Sequence, residues 1–112
     1  MVGQNAVIAV YIMASGRNGT LYIGVTSKLG LRVEQHKFGT FEGFSKQHGC
    51  KTLVWYERHE TMLEAIAREK KIKRWRRDWK LALIEGENPD WRDLSEGWFD
   101  PPDGPLAWMQ QR

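Results

Sequence analysis

The chain has 112 residues, 41% of them hydrophobic and 28% charged, with a net charge of +3. This balance suits one domain with a modest core and excludes a disordered chain. A single cysteine excludes an intrachain disulfide framework and a multi-cysteine zinc site, and without a secretory signal pattern or an apolar run of roughly 18 residues a cytoplasmic protein with no membrane partner is expected.

Residues 6–13 (AVIAVYIM) form a continuous apolar run, which predicts a strand buried on both faces. Asn18-Gly19 signals a hairpin, and residues 20–25 (TLYIGV) read as the returning strand. Thr26 or Ser27 stands where it can cap a helix over 28–38, with Leu29 and Val33 inward. Gly39 to Gly49 reads as a polar loop pinned by Phe41 and Phe44, and 52–57 (TLVWYE) as a third strand. Thr61-x-x-Glu64 is a capping box that opens the clearest helix. An apolar stripe continues through Ile72, Trp75, Trp79 and Leu83, across a kink or break, until Asn88-Pro89 stops it. From Ser95 the chain is rich in Gly, Pro and Asp. Pro101 to Pro105 is expected to be irregular, with Trp98, Phe99 and Trp108 as local docking points. The order β-β-α-β-α-α predicts an α+β fold, a small three-stranded antiparallel sheet flanked by helices. It occupies residues 1–94 and precedes an acidic tail, 95–112.

The charge is unevenly placed. Residues 1–80 hold 15 Lys/Arg against 7 Asp/Glu, whereas residues 81–112 hold two against seven. The densest basic run lies between Arg68 and Lys80. It suits phosphate binding by Coulomb attraction and counterion release, and equally a solvated helix face.

Several residues stand out chemically. Glu69 falls three residues after Ile66 and three before Ile72, on the buried side of its helix, where a carboxylate needs an ion-pair partner, a hydrogen bond or a metal. Arg32 and His36 form an i, i+4 pair, suited to a phosphate-transfer site or to an ordinary helix surface. Tyr11 interrupts an aliphatic strand, so its hydroxyl needs a partner. Gly24, two residues after Tyr22, permits close approach of a backbone or ligand.

Taken together, Ala9-Val10-Tyr11, ten residues, Tyr22-Ile23-Gly24, Arg32 ten positions later, His36, and the segment 65–73 around Glu69 resemble the GIY-YIG nuclease family. The likeness spans about residues 5–85. It is strongest to the small stand-alone bacterial proteins of this type, and the chain is also similar to the N-terminal nuclease domain of the excision-repair incision subunit. The first motif reads Ala-Val-Tyr here, and Val25 stands where the repair domains carry a lysine.

The resemblance implies a metal-dependent endonuclease that cleaves nucleic acid, DNA before RNA, by one-metal hydrolysis in DNA repair or processing. It carries catalytic roles onto Tyr11, Tyr22, Arg32, His36 and Glu69, with Glu69 holding Mg²⁺ or Mn²⁺. Tyr11 is expected to act as the base and Tyr22 to orient the water. Arg32 would stabilise the transition state, and His36 would assist proton transfer or place the phosphate. Lys28, Lys70, Lys73, Arg74, Arg77 and Lys80 are the expected nucleic-acid contacts. Weak sequence specificity is expected. Two alternatives stand beside this reading: an inactive nucleic-acid-binding module that acts with a partner protein, and a protein-interaction domain built on the acidic, Trp-containing C-terminal segment. A further expectation for that segment is that it folds back over the basic surface.

Overall fold

The computed structural model of the chain describes residues 6–99. Three strands form one antiparallel sheet in the order β2-β1-β3: β1 Ala9–Ala14, β2 Leu21–Thr26 and β3 Thr52–Arg58. The helices are α1 Leu29–Lys37, α2 Phe44–Gln47, α3 Met62–Arg74 and α4 Arg77–Glu87. This is the expected α+β fold, with the strands and long helices displaced by at most a few residues.

The central strand explains the layering. All six residues of β1 are buried, as a continuous apolar run in a two-sided core requires. Its side chains alternate between faces. Val10, Ile12 and Ala14 pack with Ile23, Ala65, Ile72 and Ile84 on the α3/α4 side. Ala9, Tyr11 and Met13 pack with Leu29, Val33, Cys50 and Leu53 on the α1 side. The free Cys50 is buried there. Between β1 and β3 the register slips at Ile12/Met13, leaving Val54 as the extra residue of a bulge.

Local details correct the sequence reading at three points. Thr26 does not cap α1: its Oγ1 accepts from Lys28 N at 3.0 Å, just ahead of the helix, and the N-cap position Lys28 has no side-chain cap. The 39–49 loop contains the short helix α2, and of its two phenylalanines only Phe41 is tucked in; Phe44 is half exposed and stacks on His48 at 4.1 Å. Half of the capping box forms, with Thr61 Oγ1 accepting from Glu64 N at 3.2 Å. The helical stripe does break, at Trp75, whose extended backbone separates α3 from α4.

The segment after α4 packs back on β3. Asn88 donates through Nδ2 to Val54 O at 3.1 Å and to Arg92 O at 2.9 Å, and its Oδ1 accepts from Arg92 N at 3.0 Å. Leu94 N donates to Leu53 O at 2.8 Å, and Asp93 accepts from Leu53 N and pairs with Lys37. Trp98 docks on Tyr56 and Phe99 on Phe38, with ring centroids 5.8 and 6.4 Å apart. No helix of the described residues is long and apolar enough to cross a membrane. Trp108, the 101–105 segment and a tail folded over the basic surface lie outside the described residues.

Candidate active site

The α1 face of the sheet carries a polar cluster inside an otherwise apolar layer. Tyr11 pairs across the ladder with Gly24, and a Cβ at Gly24 would lie 2.5 Å from both Cζ and the hydroxyl of Tyr11. The missing side chain is the recess that receives the phenol. Tyr11 is fully buried, and its hydroxyl lies 2.9 Å from His36 Nε2. The other imidazole nitrogen, Nδ1, lies 2.6 Å from Ser45 Oγ, which in turn donates to Cys50 O at 3.4 Å. Donor counting assigns the tautomer. Ser45 spends its proton on the carbonyl, so it accepts from Nδ1–H, and Nε2 is left to accept from Tyr11.

Burial fixes the charge states. Burial, followed by the neighbouring Arg32, lowers the His36 pKa to about 4, so the imidazole is neutral near pH 7. Burial, with Tyr22 adding to it, pushes the Tyr11 phenol well above its ordinary value, although Arg32 works in the opposite direction. The sequence expectation that Tyr11 acts as the base does not fit this environment. The group is sealed from solvent, already donating, and harder to deprotonate than a free phenol. Tyr22 is only half-buried, at the edge strand, with its ring 5.0 Å from His36 and 6.2 Å from Tyr11.

Arg32 stands over this cluster. Its guanidinium lies 4.5 Å from the Phe41 ring centroid, and its Nε donates to Gln35 at 3.1 Å. Phe41 stacks on His36 at 4.6 Å and meets Tyr22 at 6.1 Å. Arg32 also lines a cleft of about 240 Å³ with Val25, Thr26, Lys28, Leu31 and Met62. The cleft lies where the end of β2, the start of α1 and the first residue of α3 meet.

Glu69 belongs to a different layer. It is 8% exposed on the α3 stripe that also buries Ala65 and Ile72, on the opposite face of the sheet from the tyrosines. Its partner is Lys73, 2.7 Å away and half in water. Among the described residues no hydrogen bond ties Glu69 to Tyr11, Tyr22, Arg32 or His36. So four of the five expected catalytic residues form one cluster, and the fifth stands on the other face of the sheet; among the described residues β2 is an edge strand.

The expected nucleic-acid contacts divide in the same way. Lys28 lies at the cleft, and Lys70 and Arg74 are exposed on α3. Lys80 is half-buried. Lys73 is engaged by Glu69, and Arg77 Nη2 donates to the carbonyls of Asn18 and Gly19 at 2.8 and 2.7 Å. Sequence reasoning missed Ser45. No motif marks it; only its burial inside a Gly-flanked loop reveals it.

Comparison with known proteins gives matches in sequence and in fold. Residues 7–82 match the family model described as the GIY-YIG catalytic domain. The chain is 38% identical over 76 residues to the UPF0213 proteins of Staphylococcus aureus strains Mu50 and COL, a match that covers 68% of this chain and 92% of theirs. In fold it is similar to the UPF0213 protein BH0048 from Bacillus halodurans, solved in solution by NMR. That comparison gives a TM-score of 0.50 at 22% identity over 80% of this chain and 95% of the other.

Proposed function

The chain belongs to the GIY-YIG family, and from that premise we propose that it is a metal-dependent endonuclease, with DNA as the first substrate and repair or processing as its setting. The observation that carries the proposal is the Tyr11–His36–Ser45 chain beside Arg32 at an open sheet edge. An ordinary core has no use for three linked polar side chains and an adjacent guanidinium.

Glu69 fits a hard divalent cation, Mg²⁺ or Mn²⁺. It is a nearly buried carboxylate whose half-exposed ammonium partner gives way at little cost. Among the described residues no group of three or more His, Cys, Asp or Glu stands together, so a single carboxylate with waters is the mode of binding this chain supports. When bound, such an ion polarises the phosphoryl group and stabilises the leaving oxygen.

The remaining roles follow from burial and charge. Arg32, always protonated, binds the phosphate and opposes the charge that grows on it. Tyr22, at the rim, is the better-placed group to take a proton from water, because Tyr11 is buried and committed to His36. Neutral His36 then acts through Tyr11, holding the phenol in the Gly24 recess, with Ser45 setting its tautomer. Lys28 adds positive charge at the cleft.

The test is a panel of labelled DNA and RNA structures incubated with Mg²⁺, Mn²⁺ or chelator. Wild type should cut in the presence of metal and not with chelator. Glu69→Ala and Arg32→Ala should each lose at least about 100-fold while keeping their folded spectra. Full activity in Glu69→Ala sinks the assignment. Chelator-insensitive binding with no cleavage replaces it with a binding module.

A further inference from the structure

The break between α3 and α4 carries a feature that the catalytic reading leaves unused. Trp79 keeps half of its surface in water, an uncommon position for an indole. Trp75 meets it edge-on at 5.9 Å and 76°. Each ring bears a guanidinium: Arg68 lies 5.5 Å from the Trp75 centroid and Arg76 5.0 Å from that of Trp79. Arg68 is itself anchored by Glu57, at 3.0 Å.

The surroundings decide what such a surface can hold. Residues 68–80 contain eight Lys/Arg against Glu69 and Asp78. Lys70, Lys71, Arg74 and Lys80 have no ion-pair partner among the described residues. An apolar protein surface gains nothing from that charge, whereas a polyphosphate does. Exposed indoles interleaved with cations are the arrangement on which nucleobases stack. A base inside a duplex has both faces covered, so the base that stacks must be unpaired.

We propose that Trp79, supported by Trp75 and Arg76, is a stacking site for an unpaired base of the bound nucleic acid. The inference rests on the nucleic-acid reading above and adds a contact outside the catalytic set. Its position fits. Met62, which opens α3, lines the cleft at the end of β2. Arg77, which opens α4, holds the turn before β2. α3 therefore runs the length of β2, roughly 20 Å at 1.5 Å per residue. Trp75 lies six residues past Glu69, roughly 9 Å along the axis, a span of only a few nucleotides.

Binding is measured by fluorescence anisotropy on the full chain in chelator, so that cleavage plays no part. The probes are a labelled oligo-dT 12-mer and a blunt DNA duplex. Trp79→Ala should weaken the single strand roughly 10-fold and leave the duplex within twofold. Trp79→Phe, which keeps a π face, should restore most of the loss; Arg74→Ala should weaken both probes alike. Equal loss on both probes, or on neither, overturns the stacking site while leaving the nuclease reading intact. Wild type that binds neither probe at low salt overturns both. Normal binding of both probes by Trp79→Ala, with lost binding of a poly-Glu peptide, assigns the patch to an acidic protein instead.

Discussion

The two edges of the sheet are treated in opposite ways. The outer edge of β3 is covered at its start: Asp93 and Leu94 occupy the backbone groups of Leu53, and Asn88 donates to the carbonyl of the bulged Val54. Among the described residues β2 has no such cover. Along it lie the cleft, Arg32 and half-buried Tyr22. Unpaired edges invite strand addition unless they are covered or charged. Here the start of one edge is closed by the chain itself, and the other is flanked by cations, as the proposed nuclease reading requires. Substitutions near β2 should therefore be felt in chemistry, and those near β3 in stability.

The largest expected effect concerns the tyrosines. Tyr22→Phe should lower the cleavage rate by about 10²–10⁴-fold with little change in unfolding midpoint. Tyr11→Phe should instead cost about 1–3 kcal/mol of stability, because Nε2 of buried His36 loses its donor. Rates and denaturant midpoints of the two variants settle it; the reverse pattern breaks the assignment of roles. Next is Asn88→Ala, which removes three hydrogen bonds from the covered edge. It should cost about 2–3 kcal/mol while activity per folded molecule stays at the wild-type level. Activity that falls with it would show that the two edges are coupled.

Acid provides a smaller and graded test. Above about pH 6.5 His36 is neutral in both folded and unfolded chains. As pH falls toward about 4, the unfolded chain takes up a proton that the native one refuses. Stability on the order of 2 kcal/mol is therefore lost across that window, and His36→Gln should flatten it. Asp93 answers later. Burial works to raise its carboxyl, but Lys37 and Ser95 outweigh burial and hold it below its ordinary value. Its contribution is present above the unfolded value and is lost as pH falls through the folded one. The unfolding free energy plotted against pH should thus fall first in the His36 window and again below the ordinary carboxylate range.

Much of this frame was legible from residue patterns. The strands declared themselves by apolar runs, the hairpin by Asn18, which adopts a φ of 57°, and the buried face of α3 by spacing around Glu69. What stayed hidden has a common cause: it depends on contacts distant in sequence. Ser45 reaches His36 nine residues away, and helix α2 is too short to show a period. Asn88 read as a helix stop because its side chain's partner, Val54, lies 34 positions earlier. That Tyr11 would have a partner was readable; that its own burial would push the phenol above its ordinary value was not.

The Gly24 recess has a consequence for how this sequence can drift. The ring of Tyr11 occupies the volume that any larger residue at position 24 would claim, so the two motif letters form one unit of variation. Gly24→Ala in the present background expels the ring from its seat. The same change after Tyr11 has been replaced by a smaller residue no longer meets the three nearest atoms of the Tyr11 side chain, so a double-mutant cycle should show a cost well below the sum. Order of mutation then matters: a lineage that sheds the tyrosine first is relieved of this clash at position 24, while one that loses the glycine first passes through a strained intermediate. The motif is held together by a steric fit between neighbouring strands, independently of any demand made by the reaction.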